Sequence, residues 1–144
     1  MLRVAFALRS IALAIWAAGG ASTLLATSAI FARAETRKQA GDFAGAVLIR
    51  SLWLRLAAIA LQIVALLLGV RGIANWFALG AAILTAAEST VQQTVRRMRR
   101  DLGGSVDALD ADDPRRRRFG ALHGIAMLLL LGQIVLGLIG LAVQ

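Results

Sequence analysis

With 59% hydrophobic and only 17% charged residues among its 144, and a mean hydropathy of +0.75, the chain is too oily for an ordinary water-soluble domain. A net charge of +8 would suit a nucleic-acid binder, but half of the basic residues sit in one stretch, Arg96 to Arg118. Membrane proteins hold Arg and Lys in such places as an orientation signal, so no nucleic-acid partner is expected, and the lack of cysteine excludes disulfides and thiolate chemistry.

The apolar residues fall in runs of about 20, the length that crosses a hydrocarbon core about 30 Å thick. The expected fold is all-α: an integral membrane antiparallel four-helix bundle in one domain over residues 1–144. Its helices are expected at about 5–31, 43–70, 73–100 and 115–143, with a polar Arg/Asp-rich loop at about 101–114. The opening run, Ile11 to Phe31, follows an Arg-bearing head and precedes a small-x-small pattern at Ala32 and Ala34. It is longer than a signal-peptide core and is read as an uncleaved first helix. Its patch from Gly19 to Thr23 is small enough for other helices to approach closely.

A polar link, Ala32 to Asp42, leads into the second helix, with Arg50 and Arg55 near the start of its apolar run. Arginines so placed ordinarily extend their aliphatic stems toward the headgroups. The tight link Val70-Arg71-Gly72 makes the second and third helices expected antiparallel neighbours, with Trp53 and Trp76 in opposite interfacial belts. The third helix is expected to run on through Arg99 and break at Gly103 and Gly104; Asp113 followed by Pro114 marks the start of the fourth.

Basic residues are unevenly divided between the two sides. Arg3, Arg9 and Arg71 fall on the side of the termini, whereas Arg33, Arg37 and Lys38 join Arg96, Arg97, Arg99, Arg100, Arg115, Arg116, Arg117 and Arg118 on the other. The positive-inside rule then places both termini in the periplasm of a bacterial inner membrane and the arginine loop in the cytoplasm. The loop arginines are expected to meet anionic headgroups or a partner subunit, partly offset by Asp101, Asp107, Asp110, Asp112 and Asp113.

Residues equidistant from a turn at Arg71 and Gly72 lie at equal depth, which pairs Arg55 with Glu88 and Arg50 with Gln93. His123, the sole histidine, enters the fourth helix near the same edge, so Arg55, Glu88, Gln92 and His123 are expected to form a polar cluster. Such a cluster serves either as a latch fixing helix register or as a protonatable site. Deeper, Gln62 and Gln133 are expected to bond across helices. The chain holds no Walker loop, GxSxG or HExxH, and one histidine cannot supply two axial haem ligands. No catalytic, cofactor or metal site is expected. The pairs Gly41/Gly45 and Gly120/Gly124 are read as packing notches.

Three stretches carry a family likeness: the Gly-bearing first helix ending in Phe31, the link QAGDFAG leading to Arg50, and RFGALHGIAMLLLLGQIVLGL from Arg118 to Leu138. Through them the chain resembles the transmembrane protein 205-like family, most specifically at Arg118, Phe119, Leu122 and His123. It departs from that pattern at Ala126, at Leu131 and before Phe31. The resemblance implies a compact four-helix membrane domain. The expected role is non-enzymatic: a structural or accessory subunit packing with itself or a larger complex, the alternative being a small proton-coupled exporter that uses the Glu/Arg/His cluster.

Overall fold

A computed structural model describes residues 1–102, 106, 109–110 and 112–144. The expected break at Gly103 and Gly104, and Asp107, lie outside the described residues. Among the described residues the chain is all helical, in four helices. We label them α1 (Leu2–Arg33), α2 (Arg37–Leu67), α3 (Ala74–Asp101) and α4 (Pro114–Ala142). Three of them, α1, α2 and α4, are long and apolar enough to cross a membrane. α3 falls short of that hydropathy because Asn75, Glu88, Gln92 and Gln93 dilute its alanines.

Local chemistry accounts for the boundaries. Thr36 caps α2, its hydroxyl accepting from the Gln39 amide at 3.2 Å, while Gln39 Oε1 reaches back to accept from the Glu35 amide at 3.2 Å. This is a capping box displaced by one residue. α2 ends at Gly69, whose φ of 91° only glycine adopts without strain. The Gly69 amide donates to Leu66 O and the Val70 amide to Ala65 O, satisfying carbonyls that would otherwise be orphaned. Val70 is thereby tucked in fully buried. Asp113 caps α4 at the Arg115 amide, 2.8 Å away, with Pro114 at the first helical position. The hydrogen bond from the Arg115 side chain also holds the Asp113 carboxyl below its ordinary range.

α1 is interrupted by a π turn, Ile15–Gly19. Its buried residues show why. Ala5, Arg9, Ala12 and Trp16 recur at spacings of four and three, then Gly20 follows by four where three is due, after which Thr23 and Thr27 resume the rhythm. One extra residue is absorbed in the wider turn, and both halves of α1 keep the same face inward. α3 and α4 hold the rhythm unbroken, with Ala74, Ala78, Ala81, Thr85, Glu88, Gln92 and Val95 on α3 and Ala126, Leu130, Gln133, Gly137 and Gly140 on α4, and α2 holds it from Leu48 through Ser51, Arg55, Ala58, Gln62 and Ala65. A 3.5-residue period keeps one stripe of each long helix facing the same neighbours.

α3 packs most closely against α4, and α1 against α2, while α2 and α3 pack less closely despite their short connection. Side-chain size explains the order. Gly80 and Gly132 let Leu136 and Leu84 press into the α3–α4 seam, whereas Arg55 and Gln62 stand on the buried face of α2. At Gly137 on α4, unlike the other glycines described, the close neighbour is the backbone of another helix, at and just before the π turn of α1. A Cβ there would lie 2.8 Å from Ala17 N and 2.9 Å from Leu13 O.

Candidate functional site

The interior is small and polar rather than large and apolar. Most of its hydrophobic members are alanines, and among the largest fully buried side chains stand Arg9, Arg55, Gln133, Glu88 and Thr85. Large apolar groups lie outside, including Trp76 at 73% exposure and Trp53 at 69%.

At the centre, Arg55 Nη1 donates to Glu88 Oε2, with both side chains 1% exposed. Gln133 bridges them from α4: its Nε2 donates to Glu88 Oε2 at 2.8 Å and its Oε1 accepts from Arg55 Nη1 at 3.3 Å. That amide orientation is self-consistent, because the same Oε1 lies 2.9 Å from the Thr85 hydroxyl and Nε2 lies 3.2 Å from Leu129 O. Thr85 Oγ1 in turn accepts from the Trp16 indole at 3.1 Å. All four helices therefore contribute to one network. Arg55 Nε is also held by Ser51 O, and Ser51 Oγ lies 2.6 Å from Thr23 Oγ1. Glu88 Oε1 alone of the carboxylate's oxygens is buried without a partner.

The expected cluster is thus divided. Arg55 and Glu88 meet, but Gln92 stands apart from the network, and His123 is exposed, stacked on Phe119 with ring planes 2° apart. The correction has a simple cause: the α4 residue level with Glu88 is Gln133, and His123 lies about 15 Å further along the helix at 1.5 Å per residue. The long loop before α4 offers no tight turn from which its register could be counted. Gln62 and Gln133 do not bond to each other; Gln62 Nε2 donates to Asn75 Oδ1 at 3.2 Å instead. Arg9, expected at the water's edge, is 1% exposed, its guanidinium over the Phe6 ring and 3.4 Å from Arg71 O. Thr85 and Trp16 were not anticipated, although both lie on the four-and-three rhythm that runs through Glu88 and Ala12.

At the other end of the molecule the helices part. A groove of about 400 Å³ opens there between the end of α1, the start of α2, the end of α3 and the start of α4. Arg116, Phe119 and His123 continue the inward stripe of α4 into this groove, which is why His123 is in phase with the interior and yet exposed. Arg99 closes one wall: Nη1 donates to Gly41 O at 2.9 Å and Nη2 to Asp42 at 3.0 Å. Gly41 thus seats a guanidinium rather than a helix, since a Cβ would come 2.8 Å from Arg99 Nη2.

The remaining basic residues divide by environment. Arg96, Arg99 and Arg116 line the groove, and Arg97 and Arg100 flank a flatter face beside Gln93. Arg115 pairs with Asp113 and Arg117 with Asp112, each at 2.7 Å, while Arg118 is exposed. No protein-family model matches the chain, and no curated protein or solved structure does either.

Proposed function

We propose that the chain is an integral membrane protein of the transmembrane protein 205-like kind, an antiparallel four-helix bundle that performs no catalysis. It acts by packing, as a structural or accessory subunit associating with itself or with a larger membrane complex. The observation that carries this reading is the inverted polarity: buried stripes of alanine, glycine and hydrogen-bonded polar groups, and an exterior of Leu, Ile, Phe and Trp. Water would expel such an exterior, whereas lipid accepts it and leaves close backbone approach and interior polar bonds to join the helices. α3 fits the same scheme despite its lower hydropathy. Thr85, Glu88 and Gln92 are buried, while Trp76, Leu79 and Ile83 are exposed.

The open notch at Gly120 and Gly124, where no atom of another element among the described residues lies within 4 Å of an added Cβ, supports a packing role. Small-residue surfaces of this kind seat another helix in lipid. With Arg9 drawn inside, the side bearing the termini keeps only Arg3 and Arg71 as free flanking charges, which favours periplasmic termini and a cytoplasmic arginine loop. Purification in mild detergent tests the role. A homo-oligomer by light scattering, or a stoichiometric second subunit, is the expected result. A second reading, a small proton-coupled exporter, draws on the unpartnered Glu88 Oε1. A strictly monomeric protein carrying a small bound cargo would favour it over the first.

A further inference from the structure

We propose that the groove between the helix ends binds the phosphate of an anionic phospholipid, with part of an acyl chain against its apolar side chains. Five cationic side chains, Arg37, Lys38, Arg96, Arg99 and Arg116, line it from three helices, and no carboxylate does so among the described residues. Arg99 and Arg116 already donate to backbone carbonyls at Gly41 and Leu109. Lys38 and Arg96 have no partner among the described residues, so their charges are available to a ligand.

A second, independent observation also points to an acceptor. Gln92 lines the same groove one helical turn before Arg96, is 8% exposed, and its Nε2 is buried with no hydrogen-bond partner. An unmade bond at a buried amide is costly, and a phosphate oxygen is the acceptor that its cationic neighbours would select. The same lining also holds the large apolar side chains Phe31, Leu48 and Phe119. Free phosphate satisfies only the first half of this lining, whereas a phospholipid satisfies both. Basic pockets between helices on the cytoplasmic side are suited to anionic headgroups, and the groove lies at the level where α3 and α4 carry their arginines.

The site rests on the membrane-embedded reading, and the experiment separates the two. Carbonate extraction of membranes comes first: full-length protein released into the soluble fraction overturns the embedding itself. For detergent-purified protein that remains in the membrane fraction, binding of phosphatidylglycerol is measured by native mass spectrometry, with phosphatidylcholine and inorganic phosphate as comparison ligands. One phosphatidylglycerol per chain is expected. The Lys38→Gln/Arg96→Gln variant should bind at least about tenfold more weakly, as loss of two charge contacts implies. Gln92→Leu should also weaken binding, while Arg97→Gln/Arg100→Gln, which removes equal charge outside the groove, should not. Equal weakening by both double variants, or equal binding of phosphatidylcholine, overturns the site. Displacement of the lipid by an equal concentration of inorganic phosphate overturns the assignment to lipid.

Discussion

Glu88 is the residue on which the interior depends, because among the described residues it is the only acidic partner of a guanidinium that is 1% exposed. Glu88→Gln keeps the shape but leaves Arg55 charged and unpaired. Removing one member of a buried pair costs about 3–5 kcal/mol, more than the roughly 1 kcal/mol of an ordinary interhelical hydrogen bond in lipid. Unfolding of the detergent-solubilised variant should show a loss nearer the larger figure. The double variant Arg55→Met/Glu88→Leu should recover part of it, since Gln133 keeps Thr85 and Leu129 O as partners. A Glu88→Gln protein as stable as the parent would remove any ionic role from the pair. Counting from the tight turn located this pair in the sequence because both helices leave that turn at the same depth. Gln133 and His123 were beyond such counting, for the connection from α3 to α4 fixes neither depth nor rotation.

Among the elements, the seam between α1 and α4 is the least forgiving. At Gly137 an added methyl meets backbone atoms, which cannot rotate away, whereas at Gly124 it meets no other element among the described residues within 4 Å. Gly137→Ala should cost about 1–3 kcal/mol in an unfolding titration, the usual range for overpacking. Gly124→Ala should stay within about 0.5 kcal/mol of the parent in the monomer, as an open surface position does. Equal effects at the two sites would mean that the helices stand further apart than described. Helix positions were legible in the chain where apolar runs and the Asp113–Pro114 start are local signals; α2 instead runs Arg37–Leu67 rather than 43–70, because Thr36 caps it earlier and Gly69 turns the chain sooner. Which helices pack most closely was not legible. The short link made α2 and α3 expected neighbours, and Arg55 and Gln62 of α2 do bond Glu88 and Asn75 of α3, but the closest seam lies between α3 and α4, where Gly80 and Gly132 admit Leu136 and Leu84.

For the molecule as a whole, orientation in the membrane is the sharpest expectation, and the absence of native cysteine makes it simple to test. Gln144→Cys should react with a membrane-impermeant maleimide in intact cells whose outer barrier has been opened, and a cysteine placed at Arg118 should react only after the inner membrane is breached. The reverse pattern would invert the topology. Ser10 Oγ lies 2.6 Å from Gln144 Oε1 and Arg9 reaches Arg71 O, so the two termini and the α2–α3 turn share one end. A label at any of the three should report the same side.

The π turn in α1 implies something about how this chain tolerates change in length. Because Ile15–Gly19 already stores one residue beyond the α-helical count, the two halves of α1 face inward only with that surplus in place. Deleting a residue elsewhere in α1 would swing one half by about 100° relative to the other and carry Arg9 or Thr23 out of the interior. Deleting the exposed Ala18 would instead let the turn close to ordinary α-helix with both faces kept. A scan of single-residue deletions along α1, read out as folded protein recovered from membranes, should therefore show one tolerant position at the π turn and losses on either side.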